Sequence, residues 1–224
     1  VGTGHKSPTF VERFGFFPDT FVGNPQLEPE HSRGWEIGVE QPLTERLSVV
    51  TTYFNEQLED EIDGFVFDPA RAGFTAANVA DRSKREGVEF SVLAQPTESL
   101  DLRASYTYTD STQPDDTGKQ IAELRRPKHL ASLNLNHAVG HANINLNVTY
   151  NGTRYDLFFP PFPQPSERRR LASYRLVNLA ASYAISPRVS LFGRIENLLD
   201  EDYEDVFGFN TPGIGTFIGV RAQH

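Results

Sequence analysis

The feature that most limits what this chain can become is a period-two alternation of apolar and polar side chains that returns along its whole length. Residues 100–109 set Leu100, Leu102, Ala104, Tyr106 and Tyr108 against Asp101, Arg103, Ser105, Thr107 and Thr109. Residues 142–151 set Ile144, Leu146, Val148 and Tyr150 against Asn143, Asn145, Asn147, Thr149 and Asn151. The last third repeats the pattern: Val177, Leu179, Ala181, Tyr183 and Ile185 oppose Asn178 and Ser182, and Ile218, Val220 and Ala222 oppose Arg221 and Gln223. Successive side chains of a strand point to opposite faces, so these segments are strands with one apolar and one polar face. About ten such segments follow one another as neighbouring hairpins.

Their connections alternate. Long ones are expected at 9–31, 58–74, 110–123, 152–171 and after Glu196; tight ones at 42–45, 96–99, around Gly140 and at Ser186-Pro187. A transmembrane barrel has short turns at one rim and long loops at the other. A soluble sandwich has no reason to sort its connections in that way. A strand face made of consecutive Asn and Thr suits a hydrated lumen. Tyr53, Tyr108, Tyr150 and Tyr183 stand near strand ends and suit an interfacial aromatic girdle, although Tyr favours strands in any sheet. In a bilayer every strand edge must pair, so the sheet must close. The expected fold class is therefore all-β, an antiparallel up-and-down transmembrane β-barrel.

Composition narrows the function. The chain has 224 residues, room for one large β domain, and contains no methionine, so a piece of a longer protein is expected, with 1–224 as one partial barrel domain. No apolar run approaches the roughly eighteen residues of a membrane helix, which says nothing against membrane strands. Zero cysteines exclude disulfides and thiolate metal sites. A net charge of −9 argues against a nucleic-acid partner. Gly2-Thr3-Gly4-His5-Lys6-Ser7 looks superficially like a phosphate loop, but His5 separates Gly from Lys and Pro8 opposes the helix that must follow. The histidines are scattered, with no metal-ligand pair on a helix. Glu59-Asp60-Glu61 and Asp115-Asp116 lack the alternating spacing of a calcium loop. No nucleophile stands beside a base and an orienting acid. Neither an enzyme, a cofactor nor a metal site is expected.

Several motifs resemble those of TonB-dependent outer-membrane receptors. Glu196-Asn197-Leu198-Leu199-Asp200 through Tyr203 resembles the family's Asn-Leu-Phe-Asp…Tyr signature before the last strand, and Thr211-Pro212-Gly213 resembles the Pro-Gly-Arg that opens it. Asn24-Pro25-Gln26-Leu27-Glu28-Pro29-Glu30 with Glu36-Ile37-Gly38-Val39-Glu40 resembles an upstream segment. Asn78 with Glu86-Gly87-Val88-Glu89, and Arg126-Pro127 with His129, resemble two strand starts. The resemblance implies about ten C-terminal strands of a 22-stranded barrel whose lumen is plugged, with the plug and the TonB-contacting segment upstream. The loops look most like the vitamin B12 (cobalamin) receptor branch, and siderophore receptors share much of the pattern. Two positions depart from the family: Ile214 stands where Arg is usual, and His224 stands where a terminal Phe usually helps the barrel-assembly machinery recognise the strand.

The implied function is capture and TonB-energised uptake of a scarce small molecule, a cobalamin or a metal chelate, across the bacterial outer membrane. The loop aromatics Phe14, Phe16, Phe17, Phe65, Phe67, Phe158, Phe159 and Phe162 are the ligand-contact candidates, because aromatic rings bury much area at little rotamer cost. The alternative is that these rings pack the loops against one another. Arg168, Arg169 and Arg170 could meet lipopolysaccharide phosphates or an anionic ligand, or edge a solvated loop. Asn197, Leu198, Tyr203 and Gly213 are expected to shape the last hairpin. The competing readings are a passive porin-like channel and a soluble β-sandwich binding module.

Overall fold

Four two-residue turns, at 45–46, 98–99, 140–141 and 187–188, join long strands into hairpins, and longer connections join the hairpins to one another. The computed structural model describes residues 1–16, 21–70, 73–115, 117–161, 164 and 166–223. In chain order the elements are β1 (Gly2–Lys6), α1 (Phe10–Phe14), β2 (Glu30–Thr44), β3 (Leu47–Glu59), β4 (Ile62–Asp68), β5 (Gly73–Asn78), β6 (Ser83–Thr97) and β7 (Leu100–Pro114). Then come β8 (Gln120–Ala122), β9 (His129–Val139), β10 (Ala142–Asn151), β11 (Arg154–Phe158), β12 (Glu167–Leu171), β13 (Tyr174–Ser186), β14 (Val189–Glu196) and β15 (Gly215–Ala222).

One sheet takes the order β1-β2-β3-β6-β7-β9-β10-β13-β14-β15, with β8 added to the far end of β7. Its ten successive strands are the ten segments expected from the alternation. Two further hairpins, β4–β5 and β11–β12, form separate two-stranded sheets inside long connections. A sandwich needs a second large sheet across the core, and none occurs among the described residues. The chain divides into two compact units: Val1–Ile37, Phe54–Gly87 and Asp110–Glu123 form the first, and Gly38–Tyr53, Val88–Thr109 and Leu124–His224 the second.

Register turns the alternation into two faces in the second unit. Leu102, Leu135, Leu146, Leu179 and Ile195 stand opposite one another across five strands, and Ala104, Leu133, Val148 and Val177 make the next row. One residue away, on the other face, Arg103, Asn134, Asn147 and Asn178 form a polar row. Asn134 and Asn145 exchange amide hydrogen bonds diagonally across it, and Ser105 and Ser132 pair at 2.7 Å. The apolar face covers no core. Ile218 is 87% exposed and Val220 65%. Such a face suits hydrocarbon, and the backbone polar groups of β7, β9, β10, β13 and β14 behind it are satisfied by the ladders on either side. Tyr106 and Tyr150 flank Ala131 on the apolar face at the long-loop end, while Tyr183 lies at the tight-turn end. Tyr106 Oη lies 2.8 Å from His129 Nδ1. Aromatic side chains thus mark both ends of the apolar band.

Two boundaries differ from expectation. The tight turn expected at 42–45 is Glu45-Arg46, and Pro42 lies inside β2. A proline has no amide hydrogen, so residue 42 gives the strand only its carbonyl as a ladder partner. Residues 75–95, expected as one strand, split into β5 and β6. The Asn78 side chain donates to the carbonyls of Asp60 (2.7 Å) and Glu28 (2.9 Å), and the Val79 amide donates to the Glu61 carbonyl. These bonds turn the chain away before β6 begins. His224 lies outside the described residues.

The two faces predict opposite responses to the same charge. In the intact protein, Leu146→Arg should destabilise the membrane-inserted state by about 2–4 kcal/mol, while Asn147→Arg should change it by about 0.5 kcal/mol or less. Denaturant titration of protein folded into lipid vesicles measures both. Equal effects would remove the assignment of faces.

Candidate functional site

The candidate site is built from the long connections, and within the first unit it starts at α1. Thr9 caps this short helix: its Oγ1 accepts from the Glu12 amide, and its own amide donates to Glu12 Oε2 at 2.6 Å. The helix stops at Gly15, whose φ of 75° suits a residue without Cβ. A Cβ there would also sit 2.6 Å from the Phe21 carbonyl oxygen, so the chain returns against it only because the residue is glycine.

The return is held by polar side chains. Asn24 Nδ2 donates to the Ala76 carbonyl, and Asn24 Oδ1 accepts from the Gln26 amide. Asn78 Oδ1 accepts from the Glu28 amide at 2.9 Å. Glu30 Oε1 accepts from both Lys6 Nζ and the Ile62 amide. Leu27 is buried with Phe21, Ile62 and Ala76 in a small apolar cluster. The Asn-Pro-Gln-Leu-Glu-Pro-Glu stretch and Asn78 therefore form one clasp.

On that clasp lies an aromatic stack. Phe65 stacks on Phe74 with centroids 4.1 Å apart and lies nearly parallel to Phe21 at 6.2 Å, while Phe67 meets Phe74 edge-on at 5.6 Å. Phe21 is buried, but Phe65 and Phe67 remain 52% and 50% exposed. Phe16 approaches Phe21 at 6.0 Å, and Phe14 packs on Phe10 at 4.8 Å. Four candidates, Phe14, Phe16, Phe65 and Phe67, thus sit in ring contacts of this unit and keep an exposed surface. Phe17 lies outside the described residues.

In the second unit the β11–β12 hairpin presents two faces. Arg154, Asp156, Phe158 and Arg169 occupy one; Tyr155, Leu157, Arg168 and Arg170 occupy the other. Asp156 is buried and accepts from three donors: Arg125 Nε at 2.7 Å, the Leu157 amide at 2.9 Å and the Phe207 amide at 2.8 Å. Burial alone pushes this carboxyl up. The Phe207 amide, Arg125 and the Leu157 amide outweigh it, and hold the group below the ordinary carboxylate range. Arg154, also buried, donates to the Glu204 carbonyl and to Asp205, and Tyr174 Oη donates to Asp205 at 2.6 Å. Phe158 meets Phe207 at 5.2 Å, and the Arg169 guanidinium lies 5.9 Å from both rings. Phe158 therefore packs the hairpin against the β14–β15 loop. Phe159 is exposed, and Phe162 lies outside the described residues.

The β14–β15 loop is shaped by its own motif. Asn197 is buried with φ of 50°; its Nδ2 donates to the Glu201 carbonyl, and its Oδ1 accepts from the Glu201 amide. The Leu198 amide donates to the Val177 carbonyl, and Tyr203 packs on Tyr174 at 4.3 Å. Asp200 Oδ1 accepts from the Ile214 amide at 2.9 Å, a bond that asks nothing of the side chain at 214. A Cβ at Gly213 would fall 2.6 Å from that same oxygen, which accounts for glycine there.

Sequence reasoning missed Arg125, Arg154, Asp156 and Tyr174. The signal available was the charged alternation of Arg154 and Asp156 ahead of a run of arginines. Among the described residues no group of His, Asp or Glu could hold a metal ion.

A depressed carboxyl stabilises the folded loop above its unfolded pKa, near 4, and loses that contribution as pH falls through the lower folded value. Amide exchange at Phe207, corrected for its intrinsic rate, should therefore stay slow from neutral pH to about pH 5 and accelerate below about pH 4. Asp156→Asn should speed exchange roughly ten- to hundred-fold at neutral pH, as expected for losing hydrogen bonds to a charged group, and should flatten the pH dependence. A pH-independent rate in the unsubstituted protein would contradict this account.

Comparison with known proteins places the chain. A family model described as the β-barrel of TonB dependent receptor-like proteins matches residues 1–198. The vitamin B12 transporter BtuB of Photobacterium profundum is 30% identical over 204 residues, which cover 91% of this chain and 31% of the relative. Among solved structures, the ferripyoverdine receptor of the outer membrane of Pseudomonas aeruginosa has a similar fold, with a TM-score of 0.70 at 20% identity over 89% of this chain and 28% of its own. The ferric-catecholate import receptor Fiu from E. coli matches with a TM-score of 0.72 at 17% identity over 98% of this chain and 32% of its own. The chain spans about a third of the length of the curated relative it matches. Ten sequential antiparallel strands, an apolar face without a core and a family match across most of the sequence converge, and the chain belongs to the TonB-dependent receptor family of bacterial outer-membrane β-barrels.

Proposed function

We propose that this chain is the C-terminal part of a plugged receptor that captures a cobalamin-like ligand at the cell surface and passes it inward with TonB energy. The observation that carries the reading is the 30% identity with a vitamin B12 transporter along nine-tenths of the chain. The loops supply a physical basis for capture. Phe65 presents a flat, half-exposed ring on an already ordered stack, so a large planar ligand gains contact area without first freezing that side chain. Phe14, Phe16 and Phe67 offer further apolar surface in the same unit.

Uptake of a metal chelate is the second reading. The arginines favour it: Arg168 lies over Tyr155 at 4.8 Å, and Arg170 is exposed beside it on the same face of the hairpin, a surface suited to an anion. The same face could instead meet lipopolysaccharide phosphates. In either reading the apolar face meets outer-membrane lipid, the barrel-assembly machinery inserts the strands, and a plug upstream contacts TonB.

Uptake of labelled cobalamin by cells whose only receptor is the full-length protein tests the proposal. Uptake should require TonB. Phe65→Ala should weaken cobalamin binding by about tenfold, the scale of a central aromatic contact. Growth on a ferric chelate with no cobalamin uptake would transfer the assignment to the second reading. TonB-independent passage of both would point to a passive channel.

A further inference from the structure

At the long-loop end of the second unit, two donors converge on one carboxylate oxygen. Asn151 of β10 stands opposite Tyr174 of β13, and Arg154 opens β11 three residues further on. Arg154 Nη2 donates to Asp205 Oδ1 at 3.0 Å, and Tyr174 Oη donates to the same oxygen at 2.6 Å. Asn151 Nδ2 donates to Tyr174 Oη at 3.0 Å, which leaves the hydroxyl hydrogen for the carboxylate. The Arg154 guanidinium also lies 5.3 Å from the centroid of the Tyr174 ring. Its side chain is only 4% exposed, yet Nη1 is buried with no hydrogen-bond partner among the described residues, and Asn151 Oδ1 likewise has none. The Asp205 side chain is 59% exposed.

Part of this arrangement is loop architecture. Arg154 Nη2 also donates to the Glu204 carbonyl at 2.6 Å, so the guanidinium orders the β14–β15 loop whatever else it does. A tether alone accounts for neither the idle Nη1 nor the unequal burial. A carboxylate that answers an arginine fully takes two parallel N–H bonds. Asp205 takes one, through a single oxygen. Asp205 can also return to water readily, whereas Arg154 left behind would be an uncompensated buried charge. Asp205 is therefore released when another anion takes its place, and the idle Nη1 offers that anion a second bond. The groups that hold Asp205 are N–H and O–H donors, so they select a group with two or more acceptor oxygens and reject a cation.

We infer that Arg154 and Tyr174 form an oxyanion subsite, filled in the unliganded protein by Asp205 and taken over by a phosphate or carboxylate group of the captured ligand. The inference rests on the proposed receptor and adds to it the chemistry of one ligand group. Asp205 is then an internal competitor. It neutralises the buried guanidinium while the site is empty, and its displacement frees the β14–β15 loop at residue 205 when ligand arrives. The apparent affinity of an incoming oxyanion is lowered by the fraction of sites that Asp205 holds. The two candidate ligand classes carry the group differently: a cobalamin through the phosphate of its nucleotide arm, a metal chelate through its carboxylates.

Two corrinoids test this on the full-length receptor in detergent: cyanocobalamin, which carries the phosphate, and dicyanocobinamide, which lacks it. Asp205→Asn removes the competing charge and should tighten cyanocobalamin about tenfold, with dicyanocobinamide unchanged. Tyr174→Phe keeps the ring that packs on Tyr203 and removes only the hydroxyl. It should weaken cyanocobalamin about tenfold, the scale of a hydrogen bond to a charged group, and again spare dicyanocobinamide. With ferric citrate as the probe, the same pair of shifts would assign the group to a carboxylate chelate. A second measurement needs no ligand: amide exchange at Phe207, compared in inorganic phosphate and in chloride at equal ionic strength and neutral pH. Phosphate should speed it severalfold in the unsubstituted receptor and should have no effect in Asp205→Asn, where the tether is already lost. Equal shifts for both corrinoids, no shift for a corrinoid that binds, or exchange indifferent to phosphate would overturn the subsite. Failure of both corrinoids to bind the unsubstituted receptor rejects the cobalamin reading instead, and the phosphate response then decides the subsite by itself.

Discussion

Backbone pairing is the constraint on which everything else depends. In hydrocarbon an unsatisfied N–H or C=O has no water to turn to, so a strand can cross only between two paired neighbours. The two-residue turns meet this requirement with the least chain, placing each strand beside the one before it. Pairing in register then fixes which side chains align. Because the period is two, Leu102, Leu135, Leu146, Leu179 and Ile195 must share a face once any one pair is set, and a slip of one residue would put the asparagine row into lipid.

The long connections answer to different physics. They have little apolar core to bury: among the described residues the buried apolar set is seven residues, and six buried polar or charged residues accompany it. Their order therefore comes from polar side chains that reach across the chain and satisfy backbone groups. Asn78 holds the stretch around Glu28 to the β3–β4 bend, Asn197 closes the β14–β15 loop on itself, and Asp156 ties that loop to β11 and to Arg125. Ser111 and Arg85 do the same for Glu123 beside β7. Each of these groups is costly to bury alone and stabilising only with all its partners. That interdependence lets a loop carry exposed rings such as Phe65 in a fixed orientation above a core of four residues.

This division explains what could be read in the sequence. The strands were legible because alternation, turn spacing and the parity of loop lengths all describe one object, and ten strands with a polar and an apolar face follow from them. The β4–β5 and β11–β12 hairpins were not legible. Ile62-Asp63-Gly64-Phe65 and Arg154-Tyr155-Asp156 alternate too, but with glycine or charge on both sides, which reads as solvated loop. For the candidate site, exposed loop phenylalanines were visible as a class. That Phe65 stacks while Phe158 packs the β14–β15 loop depends on contacts between residues far apart in sequence. Asp156 was invisible for the same reason. Its three donors come from Leu157 next to it and from residues 31 and 51 positions away, so nothing local distinguishes it from an ordinary surface acid.

The last strand brings both kinds of physics together. Ile218, Val220 and Ala222 continue the apolar face, opposite Gly193, Leu191 and Val189 of β14. Between them Phe217, Gly219 and Arg221 alternate on the polar face, and there each residue depends on one in β14: Phe217 lies under Arg194, Gly219 lies under the Phe192 ring, and Arg221 lies over that ring. Gly219 is thus fixed by a neighbour rather than by its own backbone, since any side chain there would displace Phe192. Strand propensity alone would disfavour a glycine in a strand of eight residues. Its place is accounted for by the ring that covers it, and the ring in turn shapes one wall of the cavity beside Ser182. A single strand therefore meets lipid with one set of alternate residues and builds a specific polar surface with the other, and a change at either set leaves the other face's contacts in register.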